Sequence, residues 1–406
     1  MQQASPGTAD DLRTIGLIGL AHGLSHFFQL VLPPLFIFMI AEFDVSYTEL
    51  GAVMTVFFVT SGLAQAAAGF VVDRFGARIV LIAGLAVYCT AILLFGLLPS
   101  FWMFVPVAML AGLGNSVFHP ADFAILNATV NQSRLGRAYG VHTFGGNLGW
   151  ALASAFMLLV AGVAGWRVAL FAAAAIGFAV LALLIANWNR LRDESPDKPV
   201  AAASGAPATG LLPLLTTPVM LCFGYFLLLS TALIAVQNFL PATLNALHQT
   251  PLAAAGTALT GFLLGAAAGV LVGGWLADRS HRHDAVIALG LAASALLFVL
   301  IGAAALPFAP LVAAATAAGF LSGVTTPSRD MLVRSATPPG ATGRVYGFVY
   351  SGLDAGSALA PVTIGLMLDH GEPRWAIWLV AAMLFAAIFT AVSIRIGAKP
   401  VAQPAE

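Results

Sequence analysis

The chain has 406 residues, of which 60% are hydrophobic and 8% charged, and its 17 Lys and Arg are balanced by 17 Asp and Glu. A composition this apolar excludes a soluble domain with one core, because too much greasy surface would face water, and it makes lipid the solvent. The cations are spread over short segments in ones and twos, which excludes a nucleic-acid footprint.

Along the chain, residues up to Asp11 are polar and mildly acidic. The first apolar run is too long for the hydrophobic stretch of a leader and no small-residue cleavage site follows it, so it is expected to be retained. Twelve apolar segments, each near the roughly 20 residues that span a bilayer, are predicted. They cover 14–40, 48–72, 78–98, 101–128, 138–163, 168–187, 213–245, 253–277, 285–306, 309–335, 345–369 and 375–396. Their runs are continuous rather than alternating, which argues for an all-α membrane protein and against a β-barrel. Residues 188–212, rich in Asp, Glu, Lys, Pro, Ala and Ser, form the one long polar gap and are expected to link a six-helix bundle at 1–187 to a second at 213–406. Cys89 and Cys222 fall inside segments 3 and 7, so no disulfide framework or cysteine metal spacing exists.

Placing the N-terminus in the cytoplasm puts Arg13, Arg74, Arg78, Arg134, Arg137, Arg190, Arg192, Lys198, Arg279, Arg282, Arg344, Arg395 and Lys399 in or beside cytoplasmic segments, and leaves Arg167 and Arg374 on the far side. The positive-inside rule therefore predicts both termini in the cytoplasm, as for a bacterial inner-membrane protein. The two halves also repeat one another. Gly69-Phe70-Val71-Val72-Asp73-Arg74 returns as Gly274-Trp275-Leu276-Ala277-Asp278-Arg279, and Gly136-Arg137-Ala138-Tyr139-Gly140 as Gly343-Arg344-Val345-Tyr346-Gly347. Such duplication builds many transporters and places the binding site where the repeats meet.

Twelve helices, a six-plus-six repeat and Gly69-x-x-x-Asp73-Arg74-x-Gly76-x-Arg78 after segment 2 resemble the major facilitator superfamily over essentially the whole chain. Ser25-His26-x-x-Gln29, Ser116-Val117-Phe118-His119-Pro120 and Gly145-Gly146-Asn147-x-Gly149 resemble its fosmidomycin-resistance-type efflux branch. The resemblance implies two pseudo-symmetric six-helix bundles, a monomer, and a central cavity lined by segments 1, 4, 7 and 10. It also implies a conformational latch formed by Gly69, Asp73, Arg74, Arg78, Asp278 and Arg279. The chain departs from many proton-coupled antiporters of the superfamily, lacking Arg-x-x-Gln-Gly in segment 4 and Gly-Pro in segment 5, and its second loop motif reads Ser280-His281-Arg282-His283.

Ionisable groups in the bilayer are costly and are functional candidates by default. His22, His26 and Gln29 share one face of segment 1, and Asn115, His119 and Asp122 share one face of segment 4 beside Pro120. By helical rise, His22 and His119 stand at matching depth, roughly 12–13 Å from the cytoplasmic helix ends. His142 and Asn147 in segment 5, Gln237 and Asn238 in segment 7, Arg329 in segment 10 and Asp354 in segment 11 complete the candidate substrate- and proton-binding set. Arg329 is the repeat partner of Asp122, and a charge pair between them is expected to close an inner gate when the cavity opens outward. Alternatively, Arg329 pairs with its neighbour Asp330. The repeat glycines are expected to serve close helix packing.

No phosphate-binding Gly-x-x-x-x-Gly-Lys-Ser motif occurs, so a gradient rather than ATP is the expected driver. The reading is a secondary transporter of a small polar or anionic organic solute or drug, with histidines carrying a coupling proton and efflux implied by the resemblance. Proton symport and uniport are the alternatives. A membrane enzyme lacks an activated Ser or Cys, and no cofactor is implied. A metal or metal-complex transporter would use His22 and His26 as a ligand pair, but two imidazoles without a neighbouring carboxylate or thiolate make a weak site, so no metal site is expected.

Overall fold

A computed structural model describes residues 8–131, 134–191, 216–280, 282–336 and 342–397. Among these, twelve stretches are long and apolar enough to cross a membrane, and there is no strand. The first span is α1 (Thr8–Gln29) and α2 (Phe36–Phe43), followed by α3 (Tyr47–Phe75) and α4 (Ala77–Leu97). The fourth is α5 (Phe104–Asn115) with α6 (Phe118–Thr129), and α7 (Leu135–Ala164) and α8 (Trp166–Ala186) complete the first bundle. The second bundle holds α9 (Thr217–His248), α10 (Leu252–Arg279), α11 (His283–Ala303), α12 (Phe308–Ala336), α13 (Thr342–Asp369) and α14 (Pro373–Gly397).

Residues 188–191, at the start of the polar gap, pack on the first bundle. Trp188–Arg190 form a 3-10 turn, Leu191 is fully buried, and Arg190 binds Asp10 at 2.8 Å. Arg78 reinforces this, donating to the Trp188 carbonyl at 3.1 Å with its guanidinium over the indole. The rest of that stretch, to residue 215, lies outside the described residues.

Proline chemistry breaks two helices of the first bundle. Pro33 and Pro34 withhold two successive amide donors, so the first span passes through a 3-10 turn at Pro33–Leu35. Pro120 cannot donate to the Ser116 carbonyl, and the helix divides at residues 116–117, placing Pro120 in the first turn of α6 where no donor is needed. The repeat partners behave otherwise: Pro241 and Pro327 lie inside the continuous α9 and α12.

Glycine sets the helix spacing. A methyl group on Gly145 of α7 would lie 2.6 Å from the Gly19 carbonyl oxygen of α1, and one on Gly23 2.9 Å from the Gly145 oxygen. Gly149 sits as closely against the Gly23 carbonyl. Two glycines four residues apart on each helix thus bring the backbones into contact, as lipid-embedded helices require when no hydrophobic effect drives them together. In the second bundle Gly265, Gly269 and Gly273 on α10 meet α12 in the same way, while Gly352 and Gly356 on α13 meet α9. Gly140 meets nothing and packs no helix here.

Cross-bundle contacts gather at the end of the molecule opposite the termini. The Asp369 carboxylate at the end of α13 accepts from the amides of Tyr47 at 2.8 Å and Thr48 at 2.7 Å, and from the Thr48 hydroxyl, so it caps the start of α3 from the other bundle. Ser46 and Glu49 form a capping box at the same helix start. Deeper in, Thr55 donates to the Ala358 carbonyl at 2.7 Å, Gly51 lies against Pro361, and Phe36 packs on Phe239.

Gly149→Leu is expected to cost about 1–3 kcal/mol by forcing α1 from α7, read as a lowered thermal midpoint in detergent; an unchanged midpoint refutes the glycine contact. Asp369→Asn removes an anionic cap worth about 1 kcal/mol. It is expected to shift the conformational ratio about fivefold toward opening of this end, seen as longer distances between spin labels at Ala41→Cys and Ala246→Cys in a chain lacking Cys89 and Cys222.

Candidate functional site

The glycine contact between α1 and α7 leaves no gap for ordinary side chains, and the residues flanking it are imidazoles. The rings of His22 on α1 and His142 on α7 stack with centroids 3.5 Å apart, and both face Asp122 on α6. His142 Nε2 lies 3.1 Å and His22 Nδ1 3.4 Å from the same carboxylate oxygen, Oδ2. All three groups are buried, Asp122 completely, and its Oδ1 has no hydrogen-bond partner. A carboxylate so placed inside a bilayer requires a proton or a cationic partner. Two imidazoles on one oxygen can supply either.

On the other side of His22 stand His26 and His119, with ring centroids 4.4 and 5.1 Å from it. Gly146 makes this possible, because a methyl group there would lie 2.8 Å from His26 Nδ1 and 3.1 Å from His22 Nε2. His119 is exposed and approaches Gln65 of α3, its Nδ1 3.3 Å from Oε1. The cluster therefore runs from an accessible imidazole to a fully buried carboxylate.

Gln29 closes the cluster with a polar chain. Trp150 donates to Gln29 Oε1 at 3.1 Å, Gln29 to Asn115 Oδ1 at 3.1 Å, and Asn115 to Ser61 Oγ at 2.8 Å, while the Trp150 ring packs on His26 at 4.2 Å. The structure thus brings together His22, His26, Gln29, Asn115, His119, Asp122 and His142 from three segments. Ser61, Gln65 and Trp150 are the participants that sequence reasoning did not single out, and Gly146, read there as a motif and packing glycine, makes room for the imidazoles. Gln65, a lone amide in an apolar span, carried the signal; Trp150 carried none.

The second bundle offers less. Arg329 pairs with its neighbour Asp330 at 2.9 Å and lies over the Phe226 ring at 4.7 Å, and Tyr350 donates to the same carboxylate. In this conformation Arg329 takes the alternative partner, Asp330, while His22 and His142 hold Asp122 within the first bundle; the expected Asp122–Arg329 pair belongs to the outward-open state, in which the inner gate is closed. Gln237 and Asn238 are buried in α9, and the Asn238 amide nitrogen has no partner. Asn147 binds its own helix at the Thr143 carbonyl, and half-buried Asp354 packs against Gly62 of α3 at the bundle interface.

Of the latch residues, the side chains of Asp73 and Asp278 lie outside the described residues. Arg74 and Arg279 stack on their own helices, over Phe75 and Trp275, and Gly69 faces open space. Gly76 adopts φ +88°, which lets one residue turn the chain from α3 to α4 and which a β-carbon disfavours.

The sequence profile of the Major Facilitator Superfamily matches residues 18–250 and 236–405. The fosmidomycin resistance protein of Escherichia coli is 24% identical over 88% of this chain and 86% of its own length. The probable nitrate/nitrite transporter NarK2 of Mycobacterium tuberculosis is 28% identical over 90% of this chain and 91% of its own. Among solved structures, a bacterial homologue of the human lysosomal transporter Spinster superposes with a TM-score of 0.75 at 13% identity, covering 97% of this chain and 96% of that one. With its twelve helical spans, two bundles and a profile match across nearly its full length, the chain belongs to the major facilitator superfamily of membrane transporters.

Proposed function

We propose that the protein is a proton-coupled secondary transporter that exports a small polar or anionic organic solute by alternating access, as a monomer in a bacterial inner membrane. The observation that carries this reading is the graded cluster in the first bundle. A buried carboxylate shares one oxygen with two imidazoles, and a third imidazole, His119, leads to the accessible side. Imidazole changes charge near neutral pH, so such a unit can take up a proton from the cavity and hold it where the bilayer excludes ions.

The cation distribution orients the molecule with its termini in the cytoplasm. The end sealed by Asp369, Thr55 and Phe36 is then extracytoplasmic, and the conformation is inward-open. Alternating access requires this seal to break while the opposite ends close. The seal is made of a few hydrogen bonds and close glycine contacts, each weak enough to be exchanged.

The cluster's donors and cationic forms suit polar or anionic solutes, and a relative named for nitrate and nitrite supports an anionic cargo. Arg329 adds less positive charge than its sequence position suggests, because Asp330 neutralises it. Export is supported by the likeness to the fosmidomycin resistance protein.

In liposomes holding a pH-sensitive dye under an imposed proton gradient, addition of the transported solute is expected to drive proton movement in the wild type. His22→Ala and Asp122→Asn are expected to abolish that movement. Equilibration of labelled solute with no proton movement in the wild type would overturn coupling and leave a uniporter.

A further inference from the structure

His22 and His26 alone would make a weak metal site, and folding brings a third imidazole to them. His22, His26 and His119 each bring a ring nitrogen into one group whose members all lie within 4.8 Å of one another. A tetrahedral zinc site needs neighbouring nitrogens about 3.3 Å apart, set by metal–nitrogen bonds of about 2.0–2.1 Å, so small side-chain rotations close the gap.

Three features go beyond proximity. Gly146 leaves a cradle that a single β-carbon would fill, bounded by His22 Nε2 and His26 Nδ1. His26 Nδ1 is buried and has no hydrogen-bond partner, a cost that ligation would remove. Behind them, His119 Nδ1 approaches the Gln65 carbonyl oxygen at 3.3 Å, and His22 Nδ1 lies 3.4 Å from the Asp122 carboxylate, near enough for a small rotation to bond it. An oxygen acceptor on the far nitrogen of a ligating imidazole fixes its tautomer and raises its basicity, as in the carboxylate–histidine–zinc arrangement. His119 is exposed, which supplies an entry path and leaves a coordination position open for water or an exchanging ligand.

The geometry points to a three-histidine site for a divalent transition-metal ion, Zn2+, Co2+ or Ni2+, with His22 Nε2, His26 Nδ1 and His119 Nε2 as ligands and Asp122 and Gln65 as positioning residues. Imidazole nitrogen selects these borderline ions over Mg2+ or Ca2+. Because ligation requires neutral imidazoles, metal and proton compete for the same atoms, and the ion would block or replace the proton in the transport cycle.

The test uses the full chain, purified without an affinity tag that binds metal, and titrates ZnCl2 by calorimetry and CoCl2 by visible absorption. One equivalent of each metal is expected, with the Co2+ bands of a nitrogen-ligated, low-coordinate site. His119→Ala, at an exposed position, is expected to lose the site, and Gly146→Ala to lose it without removing a ligand. Asp122→Asn is expected to weaken affinity about 10–100-fold while keeping one equivalent, a readout that a merely structural carboxylate would not give. His370→Ala, far from the cluster, is the control. Absence of binding in the folded wild type, or binding unchanged in both His119→Ala and His26→Ala, overturns the site. The measurement reads binding alone, so it is decided independently of whether solute transport proves to be proton-coupled.

Discussion

Backbone contact between α1 and α7 at Gly19, Gly23, Gly145 and Gly149 is the constraint on which the candidate site depends. In lipid, helices gain nothing by burying leucine against leucine, since the solvent is as apolar as the interface. Close approach through glycine supplies dispersion contacts instead, and at this spacing the residues beside the glycines must either interdigitate or collide. His22, His26 and His142 occupy those flanking positions, and stacked imidazoles are thin enough to fit. Gly146 finishes the space by contributing no side chain at the point where His22 and His26 converge. Packing and site chemistry are therefore one feature, and the same four glycines that join two helices create the concentration of titratable nitrogen in the bilayer.

The two bundles use the duplicated plan differently. In the first, proline chemistry breaks the first and fourth spans, and α6 starts beside His119 with Asp122 one turn further on. In the second, α9 and α12 run unbroken, and their polar groups are a neighbour-paired arginine and two buried amides. Pro241 and Pro327 each leave one helix carbonyl without its amide donor, yet α9 and α12 do not divide as the first and fourth spans do. The candidate site therefore lies in the first bundle. The cross-bundle seal joins them through backbone amides of α3 and one carboxylate of α13, a contact that uses the partial positive charge of a helix start and so does not need a complementary side chain.

The twelve spans, the duplication and the apolar class were legible in the chain, because a bilayer imposes a length and a hydropathy on each crossing segment whatever its neighbours do. The polar face of each cavity helix was legible for the same reason: His22, His26 and Gln29, or Asn115, His119 and Asp122, stand out against lipid-facing residues. What each would touch was not legible. Helical periodicity gives the face of a residue but not the rotation of one helix against another, so Asp122 was matched with Arg329 by repeat symmetry, while in the folded protein it turns toward α1 and α7. Trp150 and Asp369 gave no sequence signal, since an indole in a span and a carboxylate at a span end are ordinary there.

By itself, then, the sequence determined the solvent, the helix count, the two-fold plan and which few polar groups are buried in the membrane, because those follow from transfer free energies that act residue by residue. Only the tertiary structure decided that four histidines from three spans cluster, two of them on one carboxylate, and that the end opposite the termini is the closed one. Those outcomes depend on which backbones can touch, and glycine spacing sets that contact only once two helices are side by side.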